Sequence, residues 1–267
     1  MSWITARRRH RVAGYAVVPL GLAAIGVAYA ALTGPGGQAA ASDPGLSQQS
    51  IAQGKYLFEQ SCSSCHGIDA QGTSVAPSLI GAGAAAVDFQ MSTGRMPGKE
   101  QGAEMDRKPP VFSPRQIYQI ASYVASLGGG PAVPTAAQVS TAGADVGLGQ
   151  ELFAANCAAC HNIVGAGGAL TFGKEAPALT ASTPVQIYEA MQTGPEAMPV
   201  FGDGAITPSE KRDIISYVTG TRSETNPGGY SLGRVGPVTE GLVAWILGLG
   251  VLILVAFWIT AKRRDEA

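Results

Sequence analysis

Two uninterrupted apolar segments stand near the ends of the chain, and the polar positions lie mostly between them. Residues 12–32 and residues 241–261 each form an uncharged, mostly apolar run of 21 residues. A helix needs about 20 such residues to cross the hydrocarbon core of a bilayer. The pattern therefore predicts two transmembrane helices, with residues 33–240 together on one side of the membrane.

Basic residues flank these two runs on their outer sides. Four arginines precede the first run and three basic residues follow the second. By the positive-inside rule, both termini are cytoplasmic and the middle of the chain lies on the extracytoplasmic side of the cell membrane. A cleaved signal peptide is the alternative for the first run, because Ala28-Tyr29-Ala30 has the small-x-small form of a cleavage site. We expect a retained anchor, and either alternative exports the middle.

The exported middle has the hydrophobic spacing of helices. Two of its segments begin with a capping box and a proline at the first helical position: Ser113-Pro114 with Gln116, and Thr207-Pro208 with Glu210. Apolar residues follow at intervals of three and four, and no stretch shows the alternation of a strand. The chain also has 36 glycines and 17 prolines, which suit loops between helices. The predicted fold class is all-α.

One module occurs twice in this middle segment. The stretch "AQGKYLFEQSCSSCHG" at 52–67 aligns with "GLGQELFAANCAACHN" at 147–162. Downstream, "APSL" recurs as "APAL", "MSTGRMP" as "MQTGPEAMP", and "SPRQIYQIASYV" as "TPSEKRDIISYV". Blocks that recur in the same order indicate a duplicated unit, and each copy must bury its own core.

The duplication sets the predicted domain organisation. The first module occupies residues 46–127 and the second module occupies residues 147–221. Linkers rich in Gly and Pro, residues 128–146 and 222–240, follow the two modules. The remaining parts are the N-terminal tail with its membrane helix, the C-terminal membrane helix and the C-terminal tail, at residues 1–33, 241–261 and 262–267.

Charge excludes one class of function. The formal net charge is -1, and basic clusters occur only at the two ends of the chain. The exported middle is acidic and has no basic patch interleaved with aromatic residues. Nucleic-acid binding is therefore not expected.

Each module carries the pattern Cys-x-x-Cys-His. The two motifs are Cys62, Cys65 and His66, then Cys157, Cys160 and His161, and they use every cysteine in the chain. Structural zinc would need four ligands close together, whereas the two pairs are 92 residues apart. A redox dithiol would normally follow a strand of a βαβ unit, and a disulfide needs neither the histidine nor the repetition. Covalent haem uses every part: the thiols bind two vinyl groups and the histidine binds the iron. We predict two covalently bound haem c groups.

The second axial ligand follows by elimination. The third histidine, His10, lies in the predicted cytoplasmic tail, so methionine is the usual remaining choice and raises the reduction potential. The candidates are Met91, Met96 and Met105 in the first module, and Met191 and Met198 in the second. The repeat pairs Met96-Pro97 with Met198-Pro199, and we predict Met96 and Met198 as iron ligands. Their alternative role is packing, which would leave an open sixth position at the iron.

These motifs resemble those of class I cytochrome c domains. In that family a glycine and a phenylalanine four residues later, in the first helix, cross an aliphatic and an aromatic residue in the last helix. The matching residues are Gly54, Phe58, Ile120 and Tyr123 in the first module, and Gly149, Phe153, Ile214 and Tyr217 in the second. The family's Pro-x-Leu matches at Pro77 and Pro177, whose carbonyl groups would orient the ligating histidines.

The whole layout is similar to a narrower family, the dihaem cytochrome cc subunits of the actinobacterial menaquinol–cytochrome c reductase (cytochrome bc complex). The resemblance implies tandem class I cytochrome c domains flanked by two transmembrane helices. It also implies an electron-transfer subunit of a translocase, with no bond-making chemistry in this chain. The implied partners are the cytochrome b subunit, the Rieske iron–sulfur subunit and a haem-copper oxidase, with electrons passing from the Rieske protein to the oxidase.

Three other functions remain compatible with the motifs. A dihaem electron-transfer subunit of another membrane oxidoreductase, such as an alcohol dehydrogenase, would share the domains. A dihaem peroxidase would need one haem open to peroxide, and the matching ligand sets argue against it. A membrane-tethered binding module held by disulfides would contain no haem.

Overall fold

A computed structural model of the chain describes residues 19–24, 47–100, 102, 104–223 and 237–265. The chain divides into two units, Met1–Ser47 and Gln48–Ala267. In the first unit, residues 19–24 are helical and exposed. The rest of the first apolar run, and with it the predicted N-terminal membrane helix, lies outside the described residues.

The first module is helical, and its last helix begins where the sequence predicts. Its helices are α1 (Gln48–Ser61), α2 (Ser63–His66), α3 (Gly83–Ser92) and α4 (Pro114–Ser126). At the start of α4, the Ser113 side chain accepts a hydrogen bond from the Gln116 backbone N–H. The Gln116 side chain in turn accepts one from the Ser113 backbone N–H at 3.0 Å. The predicted capping box is therefore confirmed.

The second module repeats this succession of helices. Its helices are α6 (Val146–Asn156), α7 (Ala158–His161), α8 (Pro184–Thr193) and α9 (Pro208–Ser223), preceded by α5 (Ala136–Val139). The Thr207 backbone N–H donates to Glu210 Oε2 at 2.7 Å, which confirms the second capping box. Two further capping boxes start at Thr135 and Thr183. The first of them begins α5 inside the predicted linker 128–146, so part of that linker is helical.

The second module also contains a small element that the sequence pattern does not show. Strand β1 (Gly168–Ala169) pairs antiparallel with β2 (Glu175–Ala176), and Gly168 lies opposite Ala176. The pair lies where the second module is longer than the first, with 16 positions from the motif histidine to the proline instead of 11. Strands of two residues are too short for alternation to be visible in the sequence.

The first and last helices of each module cross at a glycine. A Cβ atom on Gly54 would overlap the carbonyl oxygen of Gln119, and one on Gly149 would overlap that of Asp213. Next to these crossings, the ring centroids of Phe58 and Tyr123 are 5.3 Å apart, and those of Phe153 and Tyr217 are 5.4 Å apart. Close approach of the two backbones lets each aromatic pair pack at the centre of its own hydrophobic core.

The last described helix is α10 (Pro237–Asp265). Its residues Gly241–Ala261 have a mean hydropathy of 2.7, and none of the most apolar window is buried. Within the part of the chain that the structure describes, this is the one helix long and apolar enough to cross a membrane.

Candidate haem sites

Each Cys-x-x-Cys-His motif forms a single helical turn directly after the first helix of its module. The Cys62 backbone N–H still bonds to Phe58 at the end of α1, and the His66 backbone N–H bonds to the carbonyl oxygen of Cys62 at 2.9 Å. In the second module, the corresponding bond from His161 to Cys157 is also 2.9 Å. One turn places both cysteines and the histidine on a short, fixed stretch of backbone.

A backbone carbonyl group orients each motif histidine. Nδ1 of His66 lies 2.8 Å from the carbonyl oxygen of Pro77, and Nδ1 of His161 lies 3.0 Å from that of Pro177. A carbonyl oxygen can only accept, so Nδ1 carries the hydrogen and Nε2 keeps its lone pair for a metal. Burial lowers the pKa of His161, whereas the Pro177 contact opposes the shift. The neutral, ligating form of this imidazole is therefore favoured.

The cysteines are free of disulfide bonds; Cys157 is buried and Cys62 is partly buried. Burial, with a smaller contribution from the neighbouring cysteine, raises the pKa of Cys62 and of Cys157 to about 11. Cys65 and Cys160 are exposed. Thiol–disulfide oxidoreductases instead lower the pKa of their reactive cysteine. This environment does not favour a redox dithiol.

A cavity that is open to solvent lies at the second module. Cys157, Cys160, His161 and Met198 all line it. Most of the remaining wall is apolar and includes Phe153, Leu179, Ile187, Met191, Ile214 and Val218. Two thiols, an imidazole, a thioether and an apolar wall are the groups that covalent haem requires, so the residues present fit haem c.

Two of the equivalent residues in the first module pack against the core of that module. Cys62 and Met96 are partly buried and pack against the core beside Leu79 and Phe112. Met105, the third methionine of this module, instead donates its backbone N–H to Glu196 Oε1 at 2.9 Å. The structure thus places Met96, and not Met105, beside the core that contains Cys62.

The two methionines that correspond in the repeat and are not predicted as ligands, Met91 and Met191, are buried. Met91 is 4% exposed and Met191 is 2% exposed, and each belongs to the core of its module. Met198 packs against the second core from its edge. The repeat alignment therefore separates the buried methionines from those at the core edges; the roles of Met96 and Met198 as ligands stay predictions.

Sequence reasoning missed one set of residues at the second site. Four side chains of the first module line the cavity of the second module: Phe89, Arg95, Glu104 and Arg107. They reach it because α3 packs against α8, where Gln186 Nε2 donates to Ser92 Oγ at 3.1 Å. These residues are far from the second motif in sequence. Arg95 lies in the recurring block 91–97, but that block predicts no contact between the modules. No sequence signal would have indicated them.

Comparisons with known proteins agree with cytochrome c domains in both modules. The family model described as "Cytochrome c" matches residues 51–128, and that described as "Cytochrome C oxidase, cbb3-type, subunit III" matches residues 144–218. The fold and sites define a cytochrome c, an electron-transfer protein that carries haem c.

Relatives along nearly the whole chain define the family more narrowly. The cytochrome bc1 complex cytochrome c subunit of Corynebacterium efficiens is 42% identical over 95% of this chain and 90% of its own length. The subunit of the same name from Mycobacterium tuberculosis strain H37Rv is 44% identical over 96% of this chain and 93% of its own. The chain therefore belongs to the family of cytochrome c subunits of the cytochrome bc1 complex. A cbb3-type oxidase subunit CcoP of Rubrivivax gelatinosus is 33% identical over 52% of this chain.

Proposed function

We propose that the chain is a dihaem relay, in which each module binds one haem c through its own Cys-x-x-Cys-His motif. Cys62 and Cys65 would anchor the first haem, with His66 and Met96 as axial ligands. Cys157 and Cys160 would anchor the second haem, with His161 and Met198 as ligands. The observation that carries this proposal is the cavity that brings Cys157, Cys160, His161 and Met198 together.

The chain's own residues would set the properties of the two sites. Bound haem supplies a one-electron Fe(III)/Fe(II) couple. The carbonyl groups of Pro77 and Pro177 hold the two imidazoles in the orientation that leaves Nε2 free. The apolar walls exclude water, and a methionine ligand favours the reduced iron. We expect no bond-making chemistry in this chain, in keeping with an electron-transfer subunit of a translocase.

The partners and topology follow from the family. Relatives over nearly the full length are named as subunits of the cytochrome bc1 complex. We infer that electrons reach this chain from the Rieske iron–sulfur subunit beside cytochrome b, and leave it for a haem-copper oxidase. Two membrane helices, at 12–32 and 241–261, would hold tandem cytochrome c domains on the extracytoplasmic side. Anchoring at both ends keeps the haems close to fixed partners and replaces diffusional encounter.

The haem count tests the core of this proposal. A pyridine haemochrome assay of the purified full chain should give two haem c groups per polypeptide. Replacing Cys62 and Cys65 with Ala, or Cys157 and Cys160 with Ala, should leave one. A chain without haem would contradict the proposal and favour a disulfide-held binding module.

Carbon monoxide binding tests the methionine ligands. A methionine on the iron blocks the sixth position, so reduced, unmodified chain should bind carbon monoxide slowly at both haems. Met96→Ala and Met198→Ala should each open one haem to rapid binding, whereas Met105→Ala, which removes a methionine from the module interface, should not. Rapid binding by the unmodified chain at both haems would refute the ligand assignment.

The subunits retained after purification in mild detergent test the partners. We expect cytochrome b and the Rieske protein to remain with the chain, because the family forms part of that complex. Recovery with a dehydrogenase subunit instead would favour the alternative membrane oxidoreductase. Peroxidase turnover by the purified chain would favour the peroxidase.

A further inference from the structure

Two arginines of the first module lie in the wall of the second module's cavity. Arg95 follows α3, and Arg107 lies in the segment between α3 and α4. Both line the cavity that contains His161 and Met198. The second site is therefore built partly from the first module.

Arg95 is buried, and some of the N–H groups of its guanidinium lack a hydrogen-bond acceptor. It is 5% exposed, and its guanidinium carbon lies 5.2 Å from the centroid of the Phe89 ring. Nε forms an ion pair with Glu196 Oε1 at 3.5 Å, but neither Nε nor Nη1 donates a hydrogen bond within the described residues. A buried guanidinium group with free donors is costly unless an anion binds it.

Arg107 brings a second positive charge to the same wall. Its Nη2 donates to the carbonyl oxygen of Ala181 at 2.9 Å and to Gln186 Oε1 at 3.0 Å, which ties it to the second module. Burial, and secondarily the nearby positive charge of Arg95, lower the pKa of Arg107. Two cations in one wall attract an anion, and among the described residues the one ion pair of this wall joins Arg95 to Glu196.

Two of the three carboxylates in this wall, those of Glu196 and Glu104, already accept hydrogen bonds, and the third belongs to Glu175. Glu196 accepts the Met105 backbone N–H at 2.9 Å in addition to its ion pair with Arg95. Glu104 Oε2 accepts the Glu175 backbone N–H at 3.3 Å. Both bonds join the two modules. Neither bond involves Nη1 of Arg95, which has no hydrogen-bond partner among the described residues.

Haem c fits this mixture of apolar wall and positive charge. Its macrocycle is apolar, and its two propionate groups are carboxylates, for which guanidinium groups are the best-matched protein partners. We propose that Arg95 and Arg107 bind the propionate groups of the second haem, so that the first module completes the haem site of the second. This inference rests on the proposed binding of haem in the second module.

The positive charges of Arg95 and Arg107 would also change the reduction potential of the second haem. Positive charge near the macrocycle opposes the additional charge of Fe(III) and so favours Fe(II). Docking of the first module would thus raise the reduction potential of the second haem. Arg95 and Arg107 act through the propionate groups and are positioning residues.

A redox titration of the purified full chain, followed by absorption, tests this inference. Arg107→Gln should shift the Fe(III)/Fe(II) equilibrium of the second haem toward Fe(III) by roughly tenfold, or about 59 mV for a one-electron couple. Arg107→Lys should keep most of the potential, because it keeps the charge. Arg115→Gln removes a charge from an exposed position outside the cavity and should change nothing. Arg95→Gln should lower the potential of the second haem as Arg107→Gln does. Arg107 decides the test, because Arg95 is next to Met96, the proposed ligand of the first haem.

The transition of the second haem can be identified in two ways. Replacing Cys157 and Cys160 with Ala should remove the transition of the second haem from the titration. Met198→His should lower the midpoint potential of that transition. Two haems per chain with both potentials unchanged in Arg95→Gln and Arg107→Gln would overturn the inference and leave the proposed function intact. A drop in Arg107→Lys equal to that in Arg107→Gln would also overturn it. An unmodified chain without a second haem would instead overturn the proposed function.

Discussion

The carboxyl groups of Asp88 and Glu189 come from different modules and meet where α3 packs against α8. Glu189 is fully buried, and neither of its carboxyl oxygens receives a hydrogen bond from a described donor. Burial, and then the charge of Asp88, raise the pKa of Glu189 from 4.5 to about 10. Burial also raises the pKa of Asp88, although its hydrogen bond with Glu189 opposes that shift. The proton of the pair therefore resides on Glu189 at neutral pH.

This protonated carboxyl predicts how stability depends on pH. The folded chain holds the proton of Glu189 more tightly than the unfolded chain, so its contribution is complete below pH 4.5 and is lost as pH rises toward about 10. Glu189→Gln keeps the shape of the side chain and removes the titration. The variant should match the unmodified chain near pH 4.5 and exceed its free energy of unfolding by on the order of 3 kcal/mol near pH 8.

Urea unfolding of the full chain in detergent, followed by circular dichroism at several pH values, measures this difference. Glu151→Gln removes an exposed carboxylate of the second module and serves as the control. Its pH dependence should equal that of the unmodified chain. If Glu189→Gln keeps the same pH dependence too, the two carboxyl groups do not share a buried proton.

At the scale of elements, the crossing of the first and last helices determines the shape of each module. At Gly149 a side chain has no room, because the backbone of Asp213 occupies the position of its Cβ atom. The same relation joins Gly54 to Gln119 in the first module. Each crossing sets where its Cys-x-x-Cys-His turn begins relative to the core, since α1 and α6 lead directly into the motifs.

Adding one methyl group at the crossing should therefore destabilise the module. We expect Gly149→Ala to lower the free energy of unfolding by about 3 kcal/mol, because two packed helices must move apart. Gly220→Ala is the matched control: a Cβ atom there meets no atom of the described residues within 4 Å, and alanine favours the helix by roughly 0.8 kcal/mol. Thermal unfolding of the two variants should shift in opposite directions. Equal shifts of the unfolding temperature in the two variants would contradict a close crossing of the helices at Gly149.

At the scale of the whole molecule, the two haem modules and the two apolar runs can be tested together. We expect intact mass spectrometry of the purified chain to give the 27.2 kDa polypeptide plus two haem groups, with the N-terminal segment retained. A mass short of the residues up to Ala30 would show a cleaved signal peptide, leaving 241–261 as the membrane helix. A mass with one haem would contradict the relay.

Several features of the molecule were predictable because they depend on neighbouring residues. The capping boxes at Ser113 and Thr207 and the apolar run 241–261 are encoded within a few positions. The duplication added information that one copy lacks: it separated Met96 from Met91 by comparison with the second module. The hairpin β1–β2 and the helix α5 escaped prediction because they are too short to show a period.

The sequence by itself determined the class of protein, the two attachment motifs and their candidate ligands, because this chemistry needs particular residues at fixed local spacing. Only the tertiary structure decided what surrounds those motifs. It places Arg95 and Arg107 in the wall of the second cavity, and Asp88 against Glu189. The partners in each contact belong to different modules, and their proximity depends on how α3 packs against α8. Hydrophobic periodicity records which face of a helix is buried, but it carries no information about which distant helix covers that face.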